Sequence, residues 1–280
     1  MDRLKAVCRT KDFDALLAMF HAVDKTNPGE DFHIIFRCLF CEQHYDALEL
    51  FIEHFGNVEA VRQLFRENRI TLPNCHSYAK FAIVSAPRLL HVLARLGFDL
   101  NAPIPAATDP TTPLECAMDD DKEEAFLTLI DLGVDINALR EESTPLMRAV
   151  QSDKRWAVRI LLKKGANVHI EDGLGYTALD EAAWDSQLES MHWLLQHGAV
   201  VNHVSKRGST PLSGGIELGS PGARTIRFLL ANGASQNHRG GSTAVALALD
   251  LFSLGLPECD ESSIGELLVD CIHARCPYLV

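Results

Sequence analysis

"STPLMRAVQSDKRWAVRILLKKGANVH", residues 143–169, is the stretch on which the reading of the chain turns. It opens on Thr144-Pro145, which suits a helix start: the threonine oxygen caps the free backbone N–H groups, and proline is tolerated at the first helical position. Leu146, Ala149 and Val150 then recur at helical spacing, the polar break "QSDK" interrupts them, and "WAVRILL" resumes an apolar helix. Gly165 follows as the stop, since glycine adopts the left-handed conformation that ends a helix at little steric cost. The stretch predicts two helices joined by a tight turn and closed by glycine.

The same template occurs at "TTPLECAMDDDKEEAFLTLIDLGVDIN" (111–137), "YTALDEAAWDSQLESMHWLLQHGAVVN" (176–202) and "STPLSGGIELGSPGARTIRFLLANGASQN" (209–237). A fifth copy begins with "STAVALALDLF" at 242–252. The anchoring threonines, Thr112, Thr144, Thr177, Thr210 and Thr243, are spaced 32, 33, 33 and 33 residues apart. Gly133, Gly165, Gly198 and Gly233 close the second helices. One such pair cannot bury its own apolar face, so neighbouring pairs must stack.

This pattern resembles the ankyrin repeat, with its Thr-Pro-Leu-His-x-Ala box, two antiparallel helices, Leu-Leu-x-x-Gly-Ala box and projecting β-turn finger. The resemblance implies an all-α, ankyrin-type helix-turn-helix solenoid with short β-turn fingers, regular over residues 108–250. The family's histidine is replaced by Glu115, Met147, Asp180 and Ser213, which predicts looser hydrogen bonding between turns. Residues 76–107 form a degenerate repeat, with "HSYAKFAIV" as its first helix and "LHVLARLGFDLN" closing it at Gly97. Residues 1–75 are divergent helix pairs that continue the stack at its N-terminal end. Residues 251–280 supply a closing helix over "ESSIGELLVDCIHARC".

Composition narrows the function classes. The chain has 280 residues, 47% of them hydrophobic, which is ample for a folded core. No apolar run reaches the roughly 20 residues that span a bilayer, and "MDRLKAVCRT" lacks a signal-peptide core. Eight scattered cysteines and the lack of any N-x-S/T acceptor fit a reduced intracellular protein, cytoplasmic with nuclear entry open. A net charge of −12 opposes sequence-independent binding to nucleic acid or an anionic membrane. The chain is expected to act as a monomer without cofactor.

His192, His197 and His203 cluster in sequence as zinc ligands would. The repeat register separates them onto different elements, which predicts three solvated imidazoles and no metal site. Cys38 and Cys41, flanked by His33 and His44, form C-x-x-C, yet Ile35, Leu39 and Phe40 place both thiols in an apolar helix as small buried hydrophobes. Cys271, His273 and Cys276 form a weaker cluster, and "DDDKEE" (119–124) lacks the alternating ligands and glycine of a calcium loop. No nucleophile elbow, P-loop, dinucleotide fingerprint or H-E-x-x-H is present. Asp180, Glu181 and Asp185 share one helix and are candidates for acid/base work only with a neighbouring histidine. Asp180 instead takes the place of the family's turn-bonding residue, and Glu181 is expected to face away from Asp185. No catalytic residue is assigned.

The resemblance implies a non-catalytic scaffold that holds a partner protein on a concave face built from fingers and first helices. Alternatives are a ubiquitin-ligase adaptor, for which Leu267 and Cys271 have box spacing while Glu266 and Arg275 do not fit, and an enzyme recruited onto the repeats. In the family's register, the groove is lined by the residue before each threonine and by those seven and eight places after it. The candidate partner-binding set is Tyr176, Trp184, Asp185, Asp119, Asp120, Arg140, Gln151, Lys206 and Arg207. Tyr176 and Trp184 form the expected hot spot, since large aromatics dominate interface energetics. Asp109, Asp119, Asp120, Glu141 and Glu142 should make the face acidic in its middle, with Lys206, Arg207 and Arg239 basic beyond.

Overall fold

The computed structural model describes residues 13–22, 30–41, 43, 45–55, 78–104, 111–217 and 222–235. Over these the chain is helical, and the β structure consists of two isolated bridges, Ile104 with Thr111 and Arg140 with Ser143. This is the all-α ankyrin fold that the repeat pattern implies. The chain divides into two compact units, Met1–Asp135 and Ile136–Val280.

The first unit contains α1 (Phe13–Ala22), α2 (Glu30–Cys41), α3 (Tyr45–Phe55), α4 (Tyr78–Ser85), α5 (Leu89–Arg95), α6 (Pro113–Asp119) and α7 (Glu123–Asp131). Here α3 packs on α1, α2 and α5, while α4 and α5 pack on α6 and α7. An aromatic cluster ties the divergent N-terminal helices together. Phe36 lies 5.3 Å from Phe51 and 5.1 Å from Tyr78 between ring centroids, and Phe20 meets Phe51 edge-on at 5.4 Å. Cys38 is buried in this cluster, as expected, but Cys41 is exposed at the end of α2. Cys41 is the last residue of the helix, beyond the buried Leu39 and Phe40.

The second unit contains α8 (Pro145–Gln151), α9 (Arg155–Lys163), α10 (Ala178–Trp184), α11 (Leu188–Gln196), α12 (Pro211–Glu217) and α13 (Ala223–Ala231). First helices α8, α10 and α12 pack side by side, as do second helices α9, α11 and α13. Their apolar faces meet in a layer that includes Leu146, Ala149, Leu161, Leu179, Ala182, Leu194 and Leu229.

The threonine anchors act as caps. Thr112 Oγ1 accepts the Glu115 N–H at 3.2 Å while Glu115 Oε2 accepts the Thr112 N–H at 2.7 Å. Thr210 and Ser213 make the same reciprocal pair, and Asp180 Oδ2 accepts both the N–H and the hydroxyl of Thr177 at 2.8 Å. Three of the four residues that replace the family's histidine thus bond back to the cap. At Met147 the side chain has nothing to return, and Thr144 caps alone.

Each second helix ends in one arrangement. The N–H of Gly165 donates to Leu162 O at 3.0 Å and that of Ala166 to Leu161 O at 2.9 Å, and Gly97, Gly133, Gly198 and Gly233 repeat the pair. The φ angles of Gly97, Gly133, Gly165, Gly198 and Gly233 fall between 84° and 91°. A Cβ added at Gly133, Gly165, Gly198 or Gly233 would meet nothing within 4 Å, so backbone conformation alone demands glycine there. First helices end similarly, with Asp121, Asp153 and Ser186 at φ of 54°, 47° and 53°. Thr243, the closing helix, Leu267, Cys271, His273, Cys276, Asp109, Leu218 and Arg239 lie outside the described residues.

Gly165→Ala should cost about 1 kcal/mol, the strain of a left-handed L-residue. Gly175→Ala should cost more, because its φ is 83° and a Cβ would also lie 2.7 Å from the Lys206 backbone nitrogen. Urea midpoints falling in the order wild type, Gly165→Ala, Gly175→Ala test this, and equal midpoints would contradict it.

Candidate functional site

The fingers of the second unit are built on short polar turns. In the finger before α10, Asp172 Oδ1 accepts the N–H groups of Leu174 at 2.8 Å and Tyr176 at 2.7 Å. In the next finger, Ser205 Oγ accepts the Ser209 N–H at 3.1 Å. The two fingers join where the Lys206 N–H donates to Leu174 O at 3.1 Å and Lys206 Nζ to Gly173 O at 2.9 Å. In the preceding finger, Arg140 and Ser143 exchange backbone hydrogen bonds around Glu141 and Glu142, which sit at φ of 48° and 64°. Two consecutive non-glycine residues in this region store strain of about 1–3 kcal/mol each.

A half-buried clamp joins finger to helix. His203 Nδ1 lies 3.0 Å from Asp180 Oδ2, and His203 Nε2 lies 3.1 Å from Glu171 Oε1. Its side chain is 15% exposed, so the expectation of three solvated imidazoles is corrected here, while His192 and His197 are exposed. The sequence held a signal for this that the register alone did not disclose: a carboxylate stands at Asp180 where the family carries histidine, and an imidazole stands on the following finger. Asp180 Oδ1 is buried without a hydrogen-bond partner among the described residues. Burial pushes the Asp180 carboxyl above its ordinary range, against the opposing pull of the Thr177 and His203 bonds.

The aromatic pair divides. Tyr176 is buried at 6% exposure, so it is a core residue and not the exposed contact that the register implied. Trp184 is half-buried, its ring 4.4 Å from that of Tyr176 and nearly edge-on to it. A Cβ at Gly214 would fall 2.5 Å from Trp184 Cδ1, so the indole packs against the glycine of the neighbouring first helix. Trp184 remains partly exposed at the end of α10.

Around that edge the charges are acidic. Burial raises the Glu181 carboxyl; a bond from the Gln151 side chain opposes the shift, and the carboxylates of Asp172, Asp185 and Asp180 add to it. Glu181 and Asp185 therefore share a field and do not face apart, as expected of residues four apart on a helix. Burial, and then Asp153, likewise raise Asp185. Gln151, Asp153, Asp185, Gln187 and Glu189 line a groove of about 490 Å³ at the helix–helix turns, with Arg155 across it 3.1 Å from Asp153 and 3.2 Å from Glu189. Lys206 and Arg207 are exposed on the last described finger. Asp119 and Asp120 are exposed at the end of α6 in the first unit.

Among the described residues, no group of three or more His, Cys, Asp or Glu is placed to hold a metal ion. No hydroxyl or thiol in that range bonds to His203, whose two ring nitrogens are taken by carboxylates. The arrangement rigidifies and presents a surface.

The family model for ankyrin repeats (3 copies) matches residues 9–172 and 114–205. The crystal structure of an ankyrin repeat domain from Acinetobacter baumannii AYE is similar at 25% sequence identity and a TM-score of 0.57, covering 69% of this chain and 96% of that one. No curated protein matches the chain.

Because burial raises Asp180, the folded state holds its proton more tightly than the unfolded chain does. The fold is thus unopposed by this group below its ordinary value, about pH 4, and stability is withdrawn as the pH rises through the raised value. Asp180→Asn keeps an oxygen for the Thr177 donors and should flatten that slope. Thermal melts between about pH 4 and pH 8 with equal slopes in both proteins would contradict the assignment.

Proposed function

The chain belongs to the ankyrin repeat family, and from that premise we propose that it is a non-catalytic scaffold that holds a partner protein on the finger and first-helix face of its second unit. Ankyrin repeats generally serve as protein–protein interaction modules. The observation that carries the reading is the partial exposure of Trp184 at the end of α10, with acidic Glu181 and exposed Asp185 on the same segment. Successive fingers add exposed apolar side chains, Leu139 at 52%, Leu174 at 39% and Val204 at 48%. An indole, an apolar rim and uncompensated carboxylates suit a partner that offers a basic side chain flanked by apolar ones. The clamp at His203 and the bonds between fingers support binding by a preformed surface, which loses less conformational freedom on association. No described helix is long and apolar enough to cross a membrane. The scaffold acts as a monomer, in the cytoplasm, on this reading.

Leu174→Asp and Asp185→Lys alter exposed side chains, and each should weaken a partner isolated by pull-down about tenfold or more without moving the melting temperature. Tyr176→Ala should act on stability, at about 3 kcal/mol, as a buried aromatic truncation. Unchanged affinity in both surface variants would sink the assignment of this face. Glu142→Gly should raise stability by about 1 kcal/mol by relieving the left-handed glutamate, which denaturant titration reads directly.

A further inference from the structure

The second helices of the second unit carry a charge opposite to that of the chain as a whole. Counting back six places from each closing glycine gives Arg159, His192 and Arg227, one on each of α9, α11 and α13, all exposed. These helices pack side by side, and each of the first two residues rests on an aromatic ring of the next helix. The Arg159 guanidinium lies 5.9 Å from the Trp193 ring centroid, and the His192 ring lies 6.4 Å from that of Phe228. These contacts hold Arg159 and His192 along the surface.

Lys163 and Arg224 extend the positive face, and among the described residues Arg159, Lys163 and Arg224 form no ion pair with a carboxylate. Glu189 is the acidic residue on these three helices, and Arg155 already engages it. Solubility alone does not require this pattern, since the equivalent helix of the first unit, α7, exposes Glu123, Glu124 and Asp131.

We propose that the outer face of α9, α11 and α13 is a second docking surface, separate from the finger face, for an acidic, extended protein segment. Charge complementarity selects an anionic occupant. Spacing selects an extended chain: Arg159 and Lys163 are four helical residues apart, about 6 Å along the axis, close to the roughly 6.6 Å between alternate side chains of an extended strand. Alternate Asp or Glu residues of a strand laid along α9 therefore meet Arg159 and Lys163, with the half-buried Trp193 of the next helix beside them. The net charge of −12 favours a short peptide over nucleic acid or an anionic bilayer, because those reach past the patch into the repulsive field of the rest of the chain. The proposal does not depend on the finger face being an interface.

The test is fluorescence anisotropy of a labelled peptide of alternating Glu and Thr, about 12 residues long, titrated with the full chain at low and at near-physiological salt. Arg159→Glu with Lys163→Glu should weaken binding about tenfold or more at an unchanged melting temperature, while Lys206→Glu with Arg207→Glu on the finger should change it less than about twofold. An equal loss in the finger variant would reduce the effect to net charge and overturn the proposal. Absent peptide binding would overturn it as well, as would tighter binding of a single-stranded oligonucleotide of equal length or of phosphatidylserine vesicles.

Discussion

The left-handed glycine that closes each second helix is the constraint on which the rest of the structure depends. At Gly133, Gly165 and Gly198 it turns the chain out of the helix at a fixed register, and a finger follows. Four residues after Gly133 and Gly198 an asparagine ties its repeat to the next. Asn137 Oδ1 accepts the Asn167 N–H at 2.8 Å, and Asn202 Oδ1 accepts the Ser235 N–H at 2.6 Å. Within the first unit, Asn101 does the same for Asp135 at 2.9 Å. No single pair buries its apolar face alone, so this register decides whether the faces of neighbours meet.

Most of the fold was legible because the repeat imposes the same local chemistry several times. Thr-Pro starts, apolar spacing and glycine stops each have a local cause, and their recurrence at a period near 33 residues made each copy support the others. The site was less legible. Trp184 and Asp185 were found by register, yet Tyr176 stands beside them in the same register and is buried, because the finger folds its ring onto Trp184. His203 was read as solvated because its position tolerates any residue. Its burial follows from a pairing with Asp180 across 23 residues, which depends on two substitutions in neighbouring repeats coinciding. Cys41 was misplaced for a simpler reason: it ends its helix, where helical periodicity stops predicting burial.

The second unit has two electrostatic characters. Its first helices and fingers gather carboxylates near Trp184, half-buried Glu181 and exposed Asp185 among them, both raised by burial. Its second helices expose Arg159, laid over the Trp193 ring, together with Lys163 and Arg224. Both arise from the same scaffold, because side chains that point away from the shared core are free to vary and the core fixes where they point. His203 links the finger to α10 through one buried and one exposed carboxylate, and so couples the finger's position to the helix that carries Trp184.

Site-specific photocrosslinking in cells tests the central claim, that the finger face of the second unit holds a partner protein. A benzophenone amino acid at Leu174 or Leu139, both exposed on the fingers, is predicted to yield one discrete protein adduct, with none from the same label at the exposed Glu123 in the first unit. Adducts from Glu123 together with none from either finger position would contradict the account.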